Sequence, residues 1–330
     1  MSRLITTTLF SALALAAMPA AALGAKAKDP VKVTAAKNVK GTQRVVIGQL
    51  TIGFLIERKD STKAGGGMLG SGYGGRSTVR STLAGYSQAD LQEIADAAHD
   101  DLAARLTAAG FEVVDRAGLA AHPAYAKAKG EPGTKEMTTI TGRDDKANVL
   151  FVSASQTAPL KLVTGDVVAG GLSAMSLIMN GTQVMGGATT YAKDSGVNVV
   201  NAIYYVDFAD SDEYGGWFRS TSAVNVKGSL ALLPDQSKLT VIGPNYKSAT
   251  LALADPVAVG GDFFDKRDSM SGGEKTTNAI GNAIGLLGGV GTNSSKKFTF
   301  TARPGTYVPG AKQAAFDANE VLVGRLASLR

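Results

Sequence analysis

Leu91, Ile94, Ala95, Ala98, Leu102, Leu106 and Ala109 recur at intervals of three and four residues, the repeat of a helix that buries one face. Ser87 stands where an N-cap belongs, Asp90 follows three residues later as the acid of a capping box, and Gly110 comes just after the last apolar position. The spacing predicts a helix over 88–109. On either side the period falls to two. Leu50, Ile52 and Phe54 alternate with Gln49, Thr51 and Gly53 in a strand predicted over 45–54, and 111–115 reads as a short strand directly after the helix. Residues 61–80 carry no apolar period and centre on a run of glycines, which predicts a loop. The alanine-rich stretch 117–128, broken by Pro123, is expected to be a short helical connector.

From about residue 148 the pattern reads as β, with strands predicted at 148–153, 160–168, 172–180, 183–192 and 197–208, separated by glycines and polar turns. Val224, Val226, Gly228, Leu230 and Leu232 alternate with Asn225, Lys227, Ser229 and Ala231. Pro234 to Ser237 then looks like a turn and 239–242 like a returning strand, which together predict a hairpin with one buried face. Residues 272–295 are glycine-rich and partly helical in pattern, 297–302 make a last strand, and 309–330 form an amphipathic helix with the stripe Ala315, Ala318, Leu322, Leu326 and Leu329. The expected fold is α+β, a mixed sheet with a few packed helices and a β-rich second half. It occupies 44–330 as one domain, with an α/β part over 44–145 and a β-rich part over 146–330.

Arg3 followed by the nearly uncharged run Leu4 to Met18 and the small residues to Ala25 reads as a cleavable secretory signal over 1–25. That signal is expected to deliver the chain to the periplasm or the exterior. Residues 26–43, with Lys26, Lys28, Lys32, Lys37 and Lys40, are expected to form a flexible leader. The chain has no cysteine, which excludes thiol nucleophiles, disulfides, cysteine-bound zinc and a lipid-anchored amino terminus. The net charge of +6 is scattered along the sequence, which argues against nucleic acid as a partner, although the cationic leader suits an anionic membrane surface.

Candidate chemistry is sparse. The only histidines are His99, beside Asp96, Asp100 and Asp101, and His122, before Pro123; neither has the spacing of a catalytic triad or a metal pair. Gly70, Gly72 and Gly75 have dinucleotide-loop spacing but lie well before the next helix, and Glu274 occupies a glycine position in the phosphate-loop echo at 272–277. Asp207, Asp210, Asp212 and Glu213, next to Trp217, offer oxygen ligands for calcium at what reads as a strand end and tight turn, without the ladder of an EF-hand. Gly281, Gly285 and Gly289 recur every four residues, a small face that lets one helix approach another copy or a partner, and Trp217 is a further candidate for interaction. No cofactor is expected.

The strand at 45–54, the segment Leu91-Gln92-Glu93-Ile94-Ala95-Asp96 through Leu102-Ala103-Ala104-Arg105-Leu106, and Ala109-Gly110-Phe111-Glu112-Val113-Val114 together resemble the opening α/β unit of the curli-secretion-channel (CsgG-like) and TolB amino-terminal-like envelope proteins. The resemblance covers about 70 residues at the level of fold. It implies a periplasmic α/β domain that assembles or recruits partners without catalysis. It does not imply a secretion pore, because those channel subunits are lipoproteins and no pair of hairpins here shows lipid-facing alternation. The first functional expectation is therefore an exported, non-catalytic envelope protein with a structural, assembly or binding role, partnered by another envelope protein or by its own copies. The alternatives are a ligand- or calcium-binding module around Asp207 to Trp217 and a hydrolase of unfamiliar type using His99 or His122.

Overall fold

The computed structural model describes residues 29–63, 75–140, 146–167, 172–214, 223–278 and 293–330. The chain begins with β1 (Val31–Thr34), a single 3-10 turn at Ala36–Val39, β2 (Arg44–Lys63) and β3 (Arg76–Ala84). It continues through α1 (Gln88–Ala108), β4 (Glu112–Val113), α2 (Ala117–Ala121), α3 (Pro123–Ala126), β5 (Thr134–Ile140) and β6 (Lys146–Ser153). After α4 (Leu172–Ser195) come β7 (Asn198–Tyr214), β8 (Ala223–Leu232), β9 (Lys238–Ile242), β10 (Ser248–Leu253), β11 (Val257–Val259), β12 (Phe264–Asp268), α5 (272–278), β13 (Asn293–Ala302) and α6 (Tyr307–Ala327). All the strands join one mixed sheet, so the fold is α+β as expected.

β2 organises the sheet. Its first half runs parallel to β7, from Val45 opposite Asn198 to Phe54 opposite Val206. The register slips by one residue between Ile47 and Gln49, leaving Gly48 as the extra residue of a bulge. A side chain there has no room, since a Cβ would lie 2.5 Å from Val199 Cγ1 and 2.6 Å from Asn201 Oδ1. The slip resets the alternation, so Val45 and Ile47 before it and Leu50, Ile52 and Phe54 after it all enter one core, together with the buried stripes of α1 and α6. Val46 enters a second core on the other face with Leu119, Tyr125, Val184 and Ala188 of α2, α3 and α4. The result is a sheet with a helix layer on each side of its lower half.

Several expectations need correction. Segments 172–180 and 183–192 are one helix, α4, and Gly181, the glycine that separated them, lies inside it. A Cβ on Gly187 would come within 2.7 Å of Ala124 O and of Tyr125 Cα, so this glycine marks the close approach of α4 to α3. Of the strand expected over 160–168, the described residues 160–167 form no strand beyond a single bridge at Leu160. Its amides go to side chains instead: Lys161 N–H donates to Gln49 Oε1 at 3.0 Å and Val163 N–H to Asp166 Oδ2 at 2.8 Å. Part of the expected loop 61–80 is strand, because β2 runs on to Lys63 and pairs antiparallel with β3 from Arg76.

β8 and β9 are not a hairpin. Both pair antiparallel with the same edge of β7, β8 with its second half and β9 with its first, and Pro234 to Ser237 only bridge the gap between them. The strand that returns beside β9 is β10, which the sequence pattern missed, and β1 pairs with β10 in the segment expected to be a flexible leader.

Candidate functional site

The upper half of the sheet differs from the lower. A strand of 20 residues spans about 65 Å at the usual rise per residue, whereas α1 and α6, at 21 residues each, span about 30 Å. β2 therefore outruns the helices that cover it. The ends of β2/β3, β5/β6 and β12/β13 and of β7/β8 all lie toward the same end of the sheet: Lys63 is opposite Arg76, Lys59 opposite Lys146, Arg76 opposite Asn293, and β7 runs parallel to β2.

β7 leaves β2 after Val206, and from Glu57 onward β3 takes the vacated edge of β2. The β7/β8 hairpin then packs over the β3–β13–β12 part of the sheet. Phe208 meets Phe300 and Phe264 at ring distances of 5.6 and 6.5 Å, and Lys266 Nζ donates to the Val226 carbonyl.

At this junction sits the most heavily buried charge cluster among the described residues. Arg58 and Asp60 point to the same side of β2, as residues two apart on a strand must. Arg58 Nη1 donates to Asp207 Oδ2 at 2.5 Å and to the Ala209 carbonyl, and Nη2 donates to Asp60 Oδ1 at 2.5 Å. The arginine side chain is 15% exposed, that of Asp207 7% and that of Asp60 2%. Asp207 occupies a second bulge, where its Oδ1 accepts the amides of Phe208 and Ala209 at 2.8 and 3.2 Å.

Burial pushes the Asp207 carboxyl above its usual range, and the facing Arg58 guanidinium and the bulge amides pull it only part of the way back. Burial alone would loosen the proton on Arg58, but Asp207 and Asp60 together hold it more firmly than usual. The cluster ties the departing hairpin to β2 through charge-assisted bonds in a site with little water.

The other acidic candidates are not gathered around it. β7 continues through Asp210, Asp212 and Glu213, opposite Lys227, Asn225 and Val224 of β8, so the expected tight turn is extended strand. Asp210 is exposed and lies 3.6 Å from Lys227 Nζ. Among the described residues no three His, Asp or Glu side chains come together as a metal site. Trp217 and Gly281, Gly285 and Gly289 lie outside the described residues.

The histidines belong to the helical layers of the lower half and not to the junction, His99 on α1 and His122 in extended backbone between α2 and α3. His99 Nδ1 is 3.2 Å from Asp100 Oδ1 on α1, and His122 Nε2 is 3.3 Å from Asp194 Oδ2, with its ring edge-on to Tyr191. Arg58 and Asp60 escaped the sequence reading because they fall between the strand expected over 45–54 and the loop expected over 61–80; their spacing of two was the available signal. Comparison with known proteins places no family, no curated relative and no solved structure beside this chain.

Proposed function

We propose that this protein is exported to the cell envelope and works there by assembly, with itself or with another envelope protein, and not by catalysis. The observation that supports this reading is the sheet end beyond the helices. β2 and β7 carry four hairpin pairs past the helical layers, and among the described residues β5, β12 and the Asp207–Tyr214 half of β7 each have a strand partner on one side only. Unpaired strand edges are templates for pairing with another chain. The amino-terminal signal reading and the CsgG-like and TolB-like resemblance of 44–115 point the same way. The α/β body below the junction acts as the rigid base, and the Arg58 cluster fixes the hairpin that leaves it.

The test is the native mass of the mature protein, extracted gently from its own envelope and sized by analytical ultracentrifugation. A homomeric particle, or a stoichiometric complex with one envelope protein, supports assembly. A monodisperse monomer with nothing bound overturns it.

A further inference from the structure

The face of β2, β3 and β13 turned away from the Arg58 cluster carries an unusual row of cations. Lys59 lies directly opposite Arg80, and Arg80 directly opposite Lys297. Strands are spaced about 4.8 Å apart, so three like charges sit side by side across about 10 Å of one face. Like charges directly opposite each other destabilise a sheet. Arg76 lies four residues along β3 on the same face, one strand away from Lys63 in register.

Three adjoining cavities of about 430, 400 and 390 Å³ follow this face. The first two share Lys59 and Arg80, the first and third share Lys297, and the second and third share Asn278 and Ser295. Together they make one groove, walled by Thr138 and Asn148 on one side and by Ser269 and α5 on the other. From Thr82 to Arg76 it follows β3 for about 20 Å. Its carboxylates are already engaged: Glu57 accepts from Asn148 at 3.0 Å, and Glu274 accepts from Lys297 and is held down to about 2 by that lysine and by the Ser271 amide. Among the described residues no carboxylate pairs with Lys59 or Arg80.

We infer that this groove binds a linear polyanion of linked phosphates, an activity separate from assembly through strand edges. Arg80 offers a planar fork for two phosphate oxygens and Lys59 a compact charge, while the hydroxyls of Thr78 and Ser295 line the same groove for the remaining oxygens. A bound anion relieves the repulsion along the row, which among the described residues no ion pair offsets at Lys59 or Arg80. The walls favour a thread over a flat bilayer, since a membrane surface does not reach the recessed Lys59 between Asn148 and Lys297.

The test uses inorganic polyphosphate and the intact mature protein, with binding read by calorimetry. Binding is expected to weaken about tenfold or more between about 50 and about 200 mM salt, as release of counterions from about three contacts requires. Lys59→Gln with Arg80→Gln should weaken it a further tenfold or so, Arg80→Lys should weaken it less because the charge stays and only the fork is lost, and Lys32→Gln with Lys227→Gln leaves it unchanged. The double variant should melt no lower than the parent, because it removes a like-charge pair; this separates loss of the site from loss of the fold.

Absence of binding at about 1 mM overturns the proposal, as does equal binding by the double variant. Binding to vesicles containing phosphatidylglycerol that depends on the same two residues, with none to polyphosphate, overturns it in favour of a membrane surface. Native mass does not enter these outcomes, so the groove and the assembly reading stand or fall separately.

Discussion

Arg58 of β2 donates to Asp207 of β7 at 2.5 Å just past Phe54 and Val206, the last pair at which these two parallel strands are joined. The bond bridges the point where the sheet divides. Taking charges out of water is costly, and an ion pair of this kind offsets that cost only while complete. Arg58→Met leaves Asp207 and Asp60 facing each other in a buried site and is expected to cost roughly 3–5 kcal/mol. Adding Asp207→Asn and Asp60→Asn should recover a large part of that loss, since the uncompensated charges go with it. Urea unfolding midpoints of the three proteins decide the matter; equal stability of Arg58→Met and the parent refutes the account.

Asp166 gives the fold a pH dependence of its own. Burial pushes its carboxyl up to about 6 from 3.8, while Lys238, at 3.8 Å, and the Val163 amide draw it part of the way back. Between those two values the folded chain holds more protons at this site than the unfolded chain, so stability falls as pH rises through the window. The contribution is full below about pH 4 and lost above about pH 6, worth at most about 3 kcal/mol. Asp166→Asn keeps an acceptor for the Val163 amide and should flatten the dependence, making the variant the more stable protein at pH 7. Melting temperatures taken from pH 4 to pH 7 would show a parallel offset, with no change in slope, if the site did not titrate.

A third buried contact joins the helix layer to the sheet. Tyr204 of β7 donates its hydroxyl to Asn319 Oδ1 of α6 at 2.5 Å, and Asn319 Nδ2 donates to Ala98 O and Asp101 Oδ2 of α1 at 3.0 and 2.8 Å. One amide of α6 thus bonds three groups on two other elements, β7 and α1. Asn319→Leu leaves the Tyr204 hydroxyl without its acceptor and takes a donor from Ala98 O and from Asp101, which keeps its bond to Arg105, and should cost roughly 2–3 kcal/mol, whereas Tyr204→Phe removes a single donor and should cost about 1 kcal/mol. The ratio of the two losses, read from denaturant unfolding, is the check. A Leu variant no worse than the Phe variant would mean that Asn319 is not the hub.

How far the fold could be read from the sequence depended on which residues carried the apolar period. α1 was legible to within a residue because Ser87 and Asp90 form the capping box they announced and the stripe from Leu91 to Leu106 is buried without a gap. The first strand was legible only in part: its alternation is reset at Gly48, and beyond Leu55 its inward face carries Arg58 and Asp60, charges that satisfy each other. β3 was hidden for the same reason, since Ser77 and Ser81 are buried on its inner side beside Val79 and Leu83. The cationic row was invisible because Lys59, Arg80 and Lys297 are far apart in sequence and only the strand register brings them together.

α4 was misread through its glycines, and those glycines give the clearest test of the correction. In the strand reading, Gly187 lies inside the strand expected over 183–192, without close backbone contact to 124–125, and tolerates alanine. In the helix it lies against the backbone of α3, where a Cβ would be 2.7 Å from two backbone atoms and neither can swing aside as a side chain would. Gly187→Ala is therefore expected to push α4 off α3 and cost roughly 1–3 kcal/mol. Gly324 supplies the opposite case, an exposed glycine inside α6 with nothing within 4 Å of a new Cβ. Gly324→Ala should stabilise by about 0.5–1 kcal/mol through the lower entropy of the unfolded chain, raising the melting temperature by about 1–3 °C. If Gly187→Ala melts as high as the parent while Gly324→Ala rises as expected, the contact between α4 and α3 is looser than described. If both rise, α4 does not make that contact at all, and the lower face of the sheet is covered in some other way.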